Sequence, residues 1–377
     1  MRRHLHQHPE LSYHEKETSA FICRELDDIG IPYQKNVGGH GVVAHIEGGI
    51  SSNRVIALRG DMDALPINEK NDVPYASQNE GVMHACGHDV HTSSLLGTSR
   101  ILFNLRDQLA GTIKLIYQPA EELLPGGAKI MIEEGVLQNP QPVSIFGQHV
   151  HPEMQVGTIG FRGGPMMASA DELYITVTGQ GGHGALPHTG VDPIVVTSHI
   201  IVQLQALISR FCNPVLPSVL TIGKINSEGG ATNVIPNAVN LKGTFRTLDE
   251  EWRSRAHQLL INMVIHTAKA FGAKADVDIR KGYPVLNNDV DLVRKARASA
   301  ENYMGAEHVE ELPIRMTSED FAYYSHEIPA CFYRLGTSNK ERGIGSAVHT
   351  DTFDVDERCL EISTGLMAWL AVENLHQ

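Results

Sequence analysis

The chain has 377 residues, a hydrophobic content of 42% and a formal net charge of −13 at pH 7. This length exceeds that of a usual single core, so we expect two domains. The negative charge, without a block of lysine or arginine, argues against a nucleic acid or a membrane as partner and favours a small molecule. The apolar runs are too short to cross a bilayer and the N-terminus lacks a secretory signal, so a cytoplasmic location is expected.

The first part of the chain alternates helices with short, continuously apolar strands. This alternation is typical of an α/β domain with a largely parallel sheet covered on both faces. The predicted elements are helices over residues 12–29, 90–105 and 128–134 and strands over 42–46, 55–58, 112–117 and 143–146.

A different pattern begins near Ser169, where apolar and polar residues alternate as in a strand with one solvated face. Asp192 and Pro193 are typical first residues of a helix, and the segment from Thr247 to Glu250 resembles a capping box that opens a second one. The order β-α-β-β-α-β predicts a small ferredoxin-like sandwich inserted into the α/β domain. Its elements are predicted over residues 173–177, 192–211, 218–225, 240–245, 247–271 and 275–279.

The α/β alternation returns after this insertion. Further elements are predicted over residues 292–303 (helix), 331–335 (strand) and about 357–375 (helix). The first domain is therefore predicted to be discontinuous. We expect a metal-binding catalytic domain of residues 1–166 and 281–377, and an inserted domain of residues 167–280.

Residues whose side chains bind metals follow several of the predicted strands. In open α/β sheets the ligand crevice lies beyond the carboxyl ends of the strands, so these side chains are expected to converge. Cys86 and His88 stand just before a helix, where a depressed thiol pKa would favour the thiolate that binds metals. His149 follows one apolar strand, and His349 lies beyond another. The alternative for Cys86 and His88 is a buried cysteine beside residues that cap the helix.

Glu121 and Glu122 are consecutive residues just after a predicted strand. Because consecutive side chains at a strand exit point in different directions, one carboxylate can hold a metal while the other accepts a proton from a water that the metal activates. A hydrolase needs this division of labour. The alternative is an exposed acidic pair on a loop.

Three polar residues of the inserted domain could reach a ligand. His183 lies on a glycine loop that could carry it beyond its own domain, and Asn233 and Arg246 lie next to strands. Either of the latter could bind a substrate carboxylate or acyl oxygen. The alternative for each is a solvent-exposed side chain without a role.

Several longer motifs resemble the M20 metallopeptidase family, in its branch of aminoacylases, hippurate hydrolases and indole-acetyl-amino-acid hydrolases. The resemblance covers nearly the whole chain. The motifs are HQHPE at residues 6–10, LRGDMDALP at 58–66, MHACGHDVH at 83–91, QPAEE at 118–122, GGHG at 181–184, TNVIP at 232–236 and TSEDFA at 317–322.

The resemblance implies a zinc-peptidase-like α/β catalytic domain with an inserted ferredoxin-like lid that also forms a homodimer. It implies Glu121 as the general base, and His183 reaching the active site of the partner subunit to stabilise a tetrahedral oxyanion. Such a centre would hold two divalent ions, manganese or zinc, with cobalt or nickel as alternatives. The ligands it implies are Cys86, His88, Glu122, His149 and His349.

The reaction that this resemblance implies is metal-dependent hydrolysis of the amide bond of an N-acyl amino acid, such as an N-acetyl or N-benzoyl derivative. A dipeptidase or carboxypeptidase with the same centre is the nearer alternative. A non-catalytic, metal-stabilised binding protein is the more distant one. It is disfavoured because a structural metal site has no use for Glu121 beside Glu122, whereas an open catalytic site does.

Overall fold

The computed structural model describes residues 1–376. They form two compact units. Unit 1 contains residues 1–166, 287–314 and those from 319 onward, and unit 2 contains residues 167–286 and 315–318. The chain thus leaves unit 1 to build unit 2, returns, and enters unit 2 a second time over the short segment of residues 315–318.

All seven predicted helices are present, with ends shifted by a few residues, whereas the short helices α1 and α8 were not predicted. The first long helix ends at Gly30, whose φ of 91° is a conformation that glycine adopts without steric cost. The helices are α1 (Arg2–Gln7), α2 (Lys16–Ile29), α3 (His88–Asn104), α4 (Gly127–Glu133), α5 (Pro193–Ala206), α6 (Glu250–Ala270), α7 (Val290–Met304), α8 (Ala322–Glu327) and α9 (Cys359–Leu375).

The strands include several short ones that the sequence pattern does not predict. In chain order they are β1 (Tyr33–Val37), β2 (Gly41–Glu47), β3 (Ile50–Asp61), β4 (Ala110–Gln118), β5 (Ser144–Gln155), β6 (Ile159–Phe161), β7 (Gly164–Met167), β8 (Asp171–Thr178), β9 (Gly182–His183), β10 (Ser218–Ser227), β11 (Val234–Ile235), β12 (Ala238–Thr247), β13 (Lys274–Lys281), β14 (Leu286–Asn288), β15 (Val309–Glu311) and β16 (Ala330–Ser338).

Unit 1 is built on an eight-stranded sheet in the order β1-β2-β4-β3-β5-β16-β6-β15. The four central strands, β4, β3, β5 and β16, are parallel, whereas β1, β2 and β6 introduce antiparallel pairs at the two sides. The sheet is therefore mixed, with its parallel strands at the centre. Helices α3 and α9 pack on each other and on β3, and this layer forms the main apolar core.

The central strands determine where polar residues emerge. Strand β3 ends at Asp61 and its parallel neighbour β4 ends at Gln118, so Asp63 and Glu121 follow adjacent strand ends. Strand β5 is longer than predicted, and His149 lies within it rather than after it. The apolar pattern does not predict this extension, because His149 and His151 are polar and interrupt the apolar run. Strand β5 nevertheless continues past His149, because it pairs there with β16.

Unit 2 contains an antiparallel sheet in the order β10-β12-β8-β13. Helices α5 and α6 contact each other and this sheet, and together they enclose a second apolar core. With the chain order β-α-β-β-α-β, this is the predicted ferredoxin-like arrangement. The fold class is confirmed.

The two helix starts in unit 2 differ in how well the sequence predicts them. Asp192 caps α5 as expected, with its carboxylate accepting a hydrogen bond from the backbone N–H of Ile194 over 2.8 Å. The capping box at Thr247 is wrong, because α6 starts later and is capped by Asp249, which accepts from the N–H of Trp252. The Thr247 hydroxyl instead lies 2.9 Å from Ser218 Oγ on the neighbouring strand.

Helix α5 continues as a π-helical turn to Phe211. By length and composition alone, Pro193–Phe211 could cross a membrane, which corrects the expectation that every apolar run is too short. One such helix is weak evidence for a span. Its buried positions include Val196, Ile200 and Leu204 at helical spacing, so one face packs in the core of unit 2.

Candidate metal centre

Cys86 lies at the middle of the predicted ligand set. Its Sγ is 3.4 Å from His149 Nε2 and 3.3 Å from His349 Nε2. The ligand atoms of Cys86, His88 and His149 lie within 4.8 Å of one another, and so do those of Cys86, Glu122 and His349. The structure thus brings all five predicted ligands into two groups that share the thiol.

The turn that presents Cys86 and His88 depends on the glycine between them. Gly87 has a φ of 79°, a left-handed conformation, and precedes helix α3. A Cβ atom at this position would lie 2.6 Å from Cγ2 of Val150 on strand β5. Glycine is therefore required for both the backbone conformation and the close approach of the two elements.

The hydrogen bonds of His149 and His88 direct one ring nitrogen of each toward the thiol side. His149 Nδ1 donates to the carbonyl of Val150 over 2.8 Å, which leaves the lone pair of Nε2 facing Cys86. His88 Nδ1 lies 3.1 Å from the Asp63 carboxylate, and His88 Nε2 is buried without a hydrogen bond. A histidine that ligates a metal commonly has this arrangement, with its other nitrogen held by an oxygen acceptor.

His349 reaches the same place from a left-handed backbone conformation, with a φ of 63°. Its backbone N–H donates to the carbonyl of Ala85 over 2.8 Å, and its Nε2 lies 3.2 Å from Glu122 Oε1. Asp351, two residues further along the chain, forms an ion pair with Lys70.

Glu121 and Glu122 point to different partners, as predicted for consecutive residues. The Glu122 carboxylate faces His349, whereas Glu121 Oε1 lies 3.4 Å from the backbone N–H of Asp320. Glu121 is only 5% exposed, which rules out an exposed acidic pair. Its Oε2 lies 4.0 Å from His88 Nε2, so the carboxylate borders the ligand group.

Buried carboxylates outnumber the cations around Glu121. Ligand oxygens of Glu121, Glu319 and Asp320 lie within 4.8 Å of one another, with the buried Arg59 guanidinium 3.0 and 2.9 Å from the latter two. Burial and the neighbouring carboxylates raise the pKa of Glu121 well above its ordinary value. A divalent cation would relieve this repulsion.

The expected depressed pKa of the Cys86 thiol is wrong for the protein without a cation. Burial, together with the nearby Glu122 and Glu121 carboxylates, raises the pKa of Cys86 well above its ordinary value. These effects outweigh the favourable field at the start of a helix. A bound cation would offset them and stabilise the thiolate.

The donor set fits a divalent metal. Besides His88 Nε2, the buried Glu122 Oε1 lacks a hydrogen bond of ordinary geometry. Burial lowers the pKa of His88, but Asp61 and Asp63 outweigh it and raise the pKa to about 10, so positive charge is favoured at this ring. A thiol, imidazoles and carboxylates together are typical ligands of transition-metal ions.

His91 shows that proximity alone does not define a ligand. It forms a third close group with Asp61 and His88. However, the N–H of Val150 donates to His91 Nε2 over 2.9 Å, and Nδ1 lies against Asp61 Oδ1. Both ring nitrogens are therefore used in holding β3, α3 and β5 together.

His183, Asn233 and Arg246 lie in unit 2. The N–H of Ala185 donates to His183 Nδ1 over 3.1 Å, so the exposed ring carries its proton on Nε2. Asn233 lies beside it, because its carbonyl accepts from the N–H of Gly184, which directly follows β9, and β9 pairs with β11. Arg246 is separate and donates to the carbonyl of Met316 over 3.0 Å.

Sequence reasoning did not assign roles to the buried residues that hold the ligands. Asp61 contacts His91 and Arg59, and Asp63 contacts His88, the backbone of Glu122 and the Ser12 hydroxyl. The sequence did contain a signal that these two aspartates lie at the site, because they stand where strand β3 ends. Their partners are distant in sequence, which is why their roles were not predictable.

A sheet with parallel central strands, beside which a thiol, three imidazoles and a pair of carboxylates lie close together, defines a metallohydrolase. The model of peptidase family M20/M25/M40 matches residues 57–372. The chain belongs to this family, and it is a metal-binding hydrolase of amide bonds.

Three similar proteins illustrate this relationship. An N-acetyl-L-cysteine deacetylase of Bacillus subtilis (strain 168) is 43% identical over 96% of this chain and 84% of its own length. The IAA-amino acid hydrolase ILR1-like 4 of Arabidopsis thaliana is 37% identical over 100% and 85%. The crystal structure of the Bacillus subtilis YXEP protein, described as a dinuclear metal binding peptidase, has a TM-score of 0.87 at 35% identity and covers 100% of this chain and 97% of that one.

Proposed function

We propose that this enzyme hydrolyses the amide bond of N-acyl amino acids and releases a carboxylic acid and a free amino acid. The observation that carries the proposal is the buried Glu121 carboxylate beside the ligand group of His88 and Glu122. A purely structural metal site would not need this second carboxylate. The names of the deacetylase and IAA-amino acid hydrolase relatives support N-acyl amino acids as the substrate class.

The proposed cofactor is a pair of divalent ions, manganese or zinc, with cobalt or nickel as alternatives. The shared position of Cys86 in two ligand groups supports a two-ion arrangement. When bound, such ions polarise the amide carbonyl and lower the pKa of a water molecule. The proposed ligands are Cys86, His88, Glu122, His149 and His349.

In the proposed mechanism, Glu121 moves the proton. Its carboxylate accepts a proton from the attacking water as the oxygen forms a bond to the carbonyl carbon. The same group then delivers that proton to the amide nitrogen as the C–N bond breaks. Asp320, through its backbone N–H, holds Oε1 of Glu121 and leaves Oε2 on the side of His88.

His183 is proposed to stabilise the oxyanion in the site of the partner subunit. The hydrogen bond from Ala185 supports this role, because it places the proton on the exposed Nε2. A donor of this kind stabilises the negative charge that develops on the carbonyl oxygen. Asn233 and Arg246 are proposed to bind the substrate carboxylate or acyl oxygen.

This role of His183 requires a homodimer, which we propose to form through the inserted domain. Exposed apolar side chains on α5, including Val195 and Val202, support such an association. We further propose residues 1–166 and 281–377 as the catalytic domain and 167–280 as the lid. The enzyme is proposed to act in the cytoplasm on a small molecule, without nucleic acid or membrane.

The test is an assay of the reduced protein reconstituted with Mn²⁺, Zn²⁺ or Co²⁺. The panel contains N-acetyl and N-benzoyl amino acids, N-acyl amines and dipeptides, and released amine is measured. Metal-dependent release from N-acyl amino acids at a higher kcat/KM than from dipeptides is the expected result. A preference for dipeptides would favour a dipeptidase or carboxypeptidase, in keeping with the peptidase description of the YXEP structure. No turnover with any metal would contradict the proposal.

A further inference from the structure

Five side chains from residues 2–15 contact residues next to the proposed ligands and the proposed base. These residues belong to α1 and to the segment that precedes α2. None of the five is itself part of a metal-ligand group. The contacts fall into two sets, one at the start of helix α3 and one at the loop of Glu121 and Glu122.

The first set holds Asp89, the neighbour of His88 on α3. Arg2 Nε donates to Asp89 Oδ2 over 2.7 Å, and His6 Nδ1 lies 2.8 Å from the same oxygen. Both of these side chains and Asp89 are buried. His6 is itself held on its other side, where Nε2 lies 3.1 Å from Glu69. The first turn of α3, which carries His88, is thereby fixed to α1.

The second set begins at Ser12. Its hydroxyl donates to Asp63 Oδ2 over 2.6 Å. The other oxygen of Asp63 accepts from His88 Nδ1, and Oδ2 also accepts from the backbone N–H of Glu122. Ser12 therefore fixes the carboxylate that orients one proposed ligand and the backbone of another.

Glu15 extends this set to the proposed base. Its Oε1 accepts from the backbone N–H of Ala120 over 2.7 Å and from that of Tyr13 over 3.0 Å. Ala120 and Tyr13 have positive φ values of 52° and 66°, a conformation that persists in non-glycine residues only where the surroundings enforce it. Glu121 directly follows Ala120, so Glu15 determines how the loop enters the site.

The Tyr13 hydroxyl holds the far end of the same loop. It donates to the carbonyl of Leu123 over 3.1 Å and accepts from the N–H of Gly126 over 3.2 Å. Tyr13 and Glu15 thus bracket the loop that carries Glu121 and Glu122.

We propose that residues 2–15 form a positioning clamp for the metal centre, in which Arg2 and His6 fix helix α3 and Ser12 and Glu15 fix Asp63 and the Glu121–Glu122 loop. This inference rests on the proposed function for its ligands, although its test measures metal binding without substrate. The clamp residues touch neither the substrate nor the reacting atoms. They act through the residues that they hold, as groups around a metal site do when they orient its ligands.

A matched pair of single hydroxyl deletions tests the clamp. Ser12→Ala removes the bond to Asp63, whereas Thr18→Val removes a hydroxyl that donates to Glu10 over 2.9 Å, away from the centre. Both side chains are at least 90% buried. The affinity for Co²⁺ is measured by its visible absorption in competition with a chelator, on the full chain, together with the thermal midpoint.

We expect Ser12→Ala to bind Co²⁺ about 10-fold to 100-fold more weakly than the unaltered protein, as is typical for groups that orient metal ligands, and Thr18→Val to bind as the unaltered protein does. His6→Ala should weaken binding in the same way, and His6→Asn, whose amide can still donate to Asp89, should recover part of the loss. Unchanged affinity in Ser12→Ala, or an equal loss in Thr18→Val, would overturn the clamp. If His6→Ala does not fold, the Ser12 and Thr18 pair decides.

These outcomes are separable from those of the substrate assay. A loss of Co²⁺ affinity in Ser12→Ala in a protein inert on every amide would support the clamp and reject the proposed function. Unchanged Co²⁺ affinity in Ser12→Ala, in a protein that hydrolyses N-acyl amino acids, would reject the clamp and support the proposed function.

Discussion

Asp63 joins His88 to the loop of the paired glutamates. One carboxylate oxygen lies 3.1 Å from His88 Nδ1, and the other accepts from the backbone N–H of Glu122 over 3.0 Å. A single buried side chain thus orients two proposed ligands, one at the start of helix α3 and the other on the loop after strand β4.

Replacing Asp63 should therefore weaken metal binding more than it weakens the fold. Asp63→Asn keeps a single acceptor oxygen, because its NH₂ group cannot accept a hydrogen bond. It therefore cannot satisfy both His88 on one side and the Glu122 N–H and Ser12 hydroxyl on the other. We expect the metal affinity to fall about 10-fold to 100-fold, as measured by chelator competition. Normal affinity and stoichiometry in this variant would show that the ligands are held without Asp63.

Replacing Glu121 should separate catalysis from metal binding. Glu121→Gln keeps the size of the side chain but removes the proton acceptor, so kcat should fall about 10²-fold to 10⁴-fold while the metal content stays the same. Glu133→Gln, at an exposed position on α4, is the control and should retain full activity. An active Glu121→Gln enzyme would exclude Glu121 as the base.

His183→Ala should lower kcat about 10²-fold to 10³-fold without changing metal affinity, because only a donor to the oxyanion is lost. His188→Ala, at an exposed position nearby, should be close to normal. Mixing inactive His183→Ala and Glu121→Gln subunits should restore turnover if His183 acts on the partner subunit, since each mixed dimer then has one complete site. No recovery in verified mixed dimers would place His183 in its own subunit's site or outside the reaction.

Removing the metals should destabilise the protein as well as inactivate it. The buried Glu121, Glu319 and Asp320 would then face one another, with the Arg59 guanidinium bound to the latter two. Ions present at about 100 times their Kd contribute roughly 3 kcal/mol to the free energy of unfolding. Chelation should therefore lower the thermal midpoint, and returning Mn²⁺ or Zn²⁺ should restore it. An unchanged midpoint after verified metal loss would contradict the assigned centre.

His6 should make stability depend on pH. Burial lowers its pKa, but Asp89 and Glu69 outweigh this and raise the pKa to about 9 from an ordinary value of 6.5. A raised folded-state pKa contributes stability that is complete below about pH 6.5 and is lost as the pH rises through 9. The difference in free energy of unfolding between the unaltered protein and His6→Asn, from denaturant titrations, should shrink over this window. A constant difference would mean that His6 is not a protonated ion-pair partner. His8→Asn, at an exposed position just after α1, is the control.

The sequence by itself determined the fold class, the longer helices of both units and the residue types of the centre. Alternating helices and apolar strands indicate an α/β domain, because strands buried on both faces must be continuously apolar. Asp192 and Pro193 determine the start of α5, because capping depends only on neighbouring residues. The motifs around Cys86 and Glu121 were sufficient to identify the family, which its model confirms.

Only the tertiary structure decided which residues hold these ligands and how their pKa values are shifted. Asp63, Ser12 and Glu15 act on residues far along the chain, and no local pattern specifies such pairs. The same is true of the Cys86 thiol, whose pKa follows from burial and from carboxylates of other segments rather than from the adjacent helix. Local periodicity reflects contacts within a few residues, whereas hydrogen bonds, burial and charge at the centre depend on segments that only the folded chain brings together.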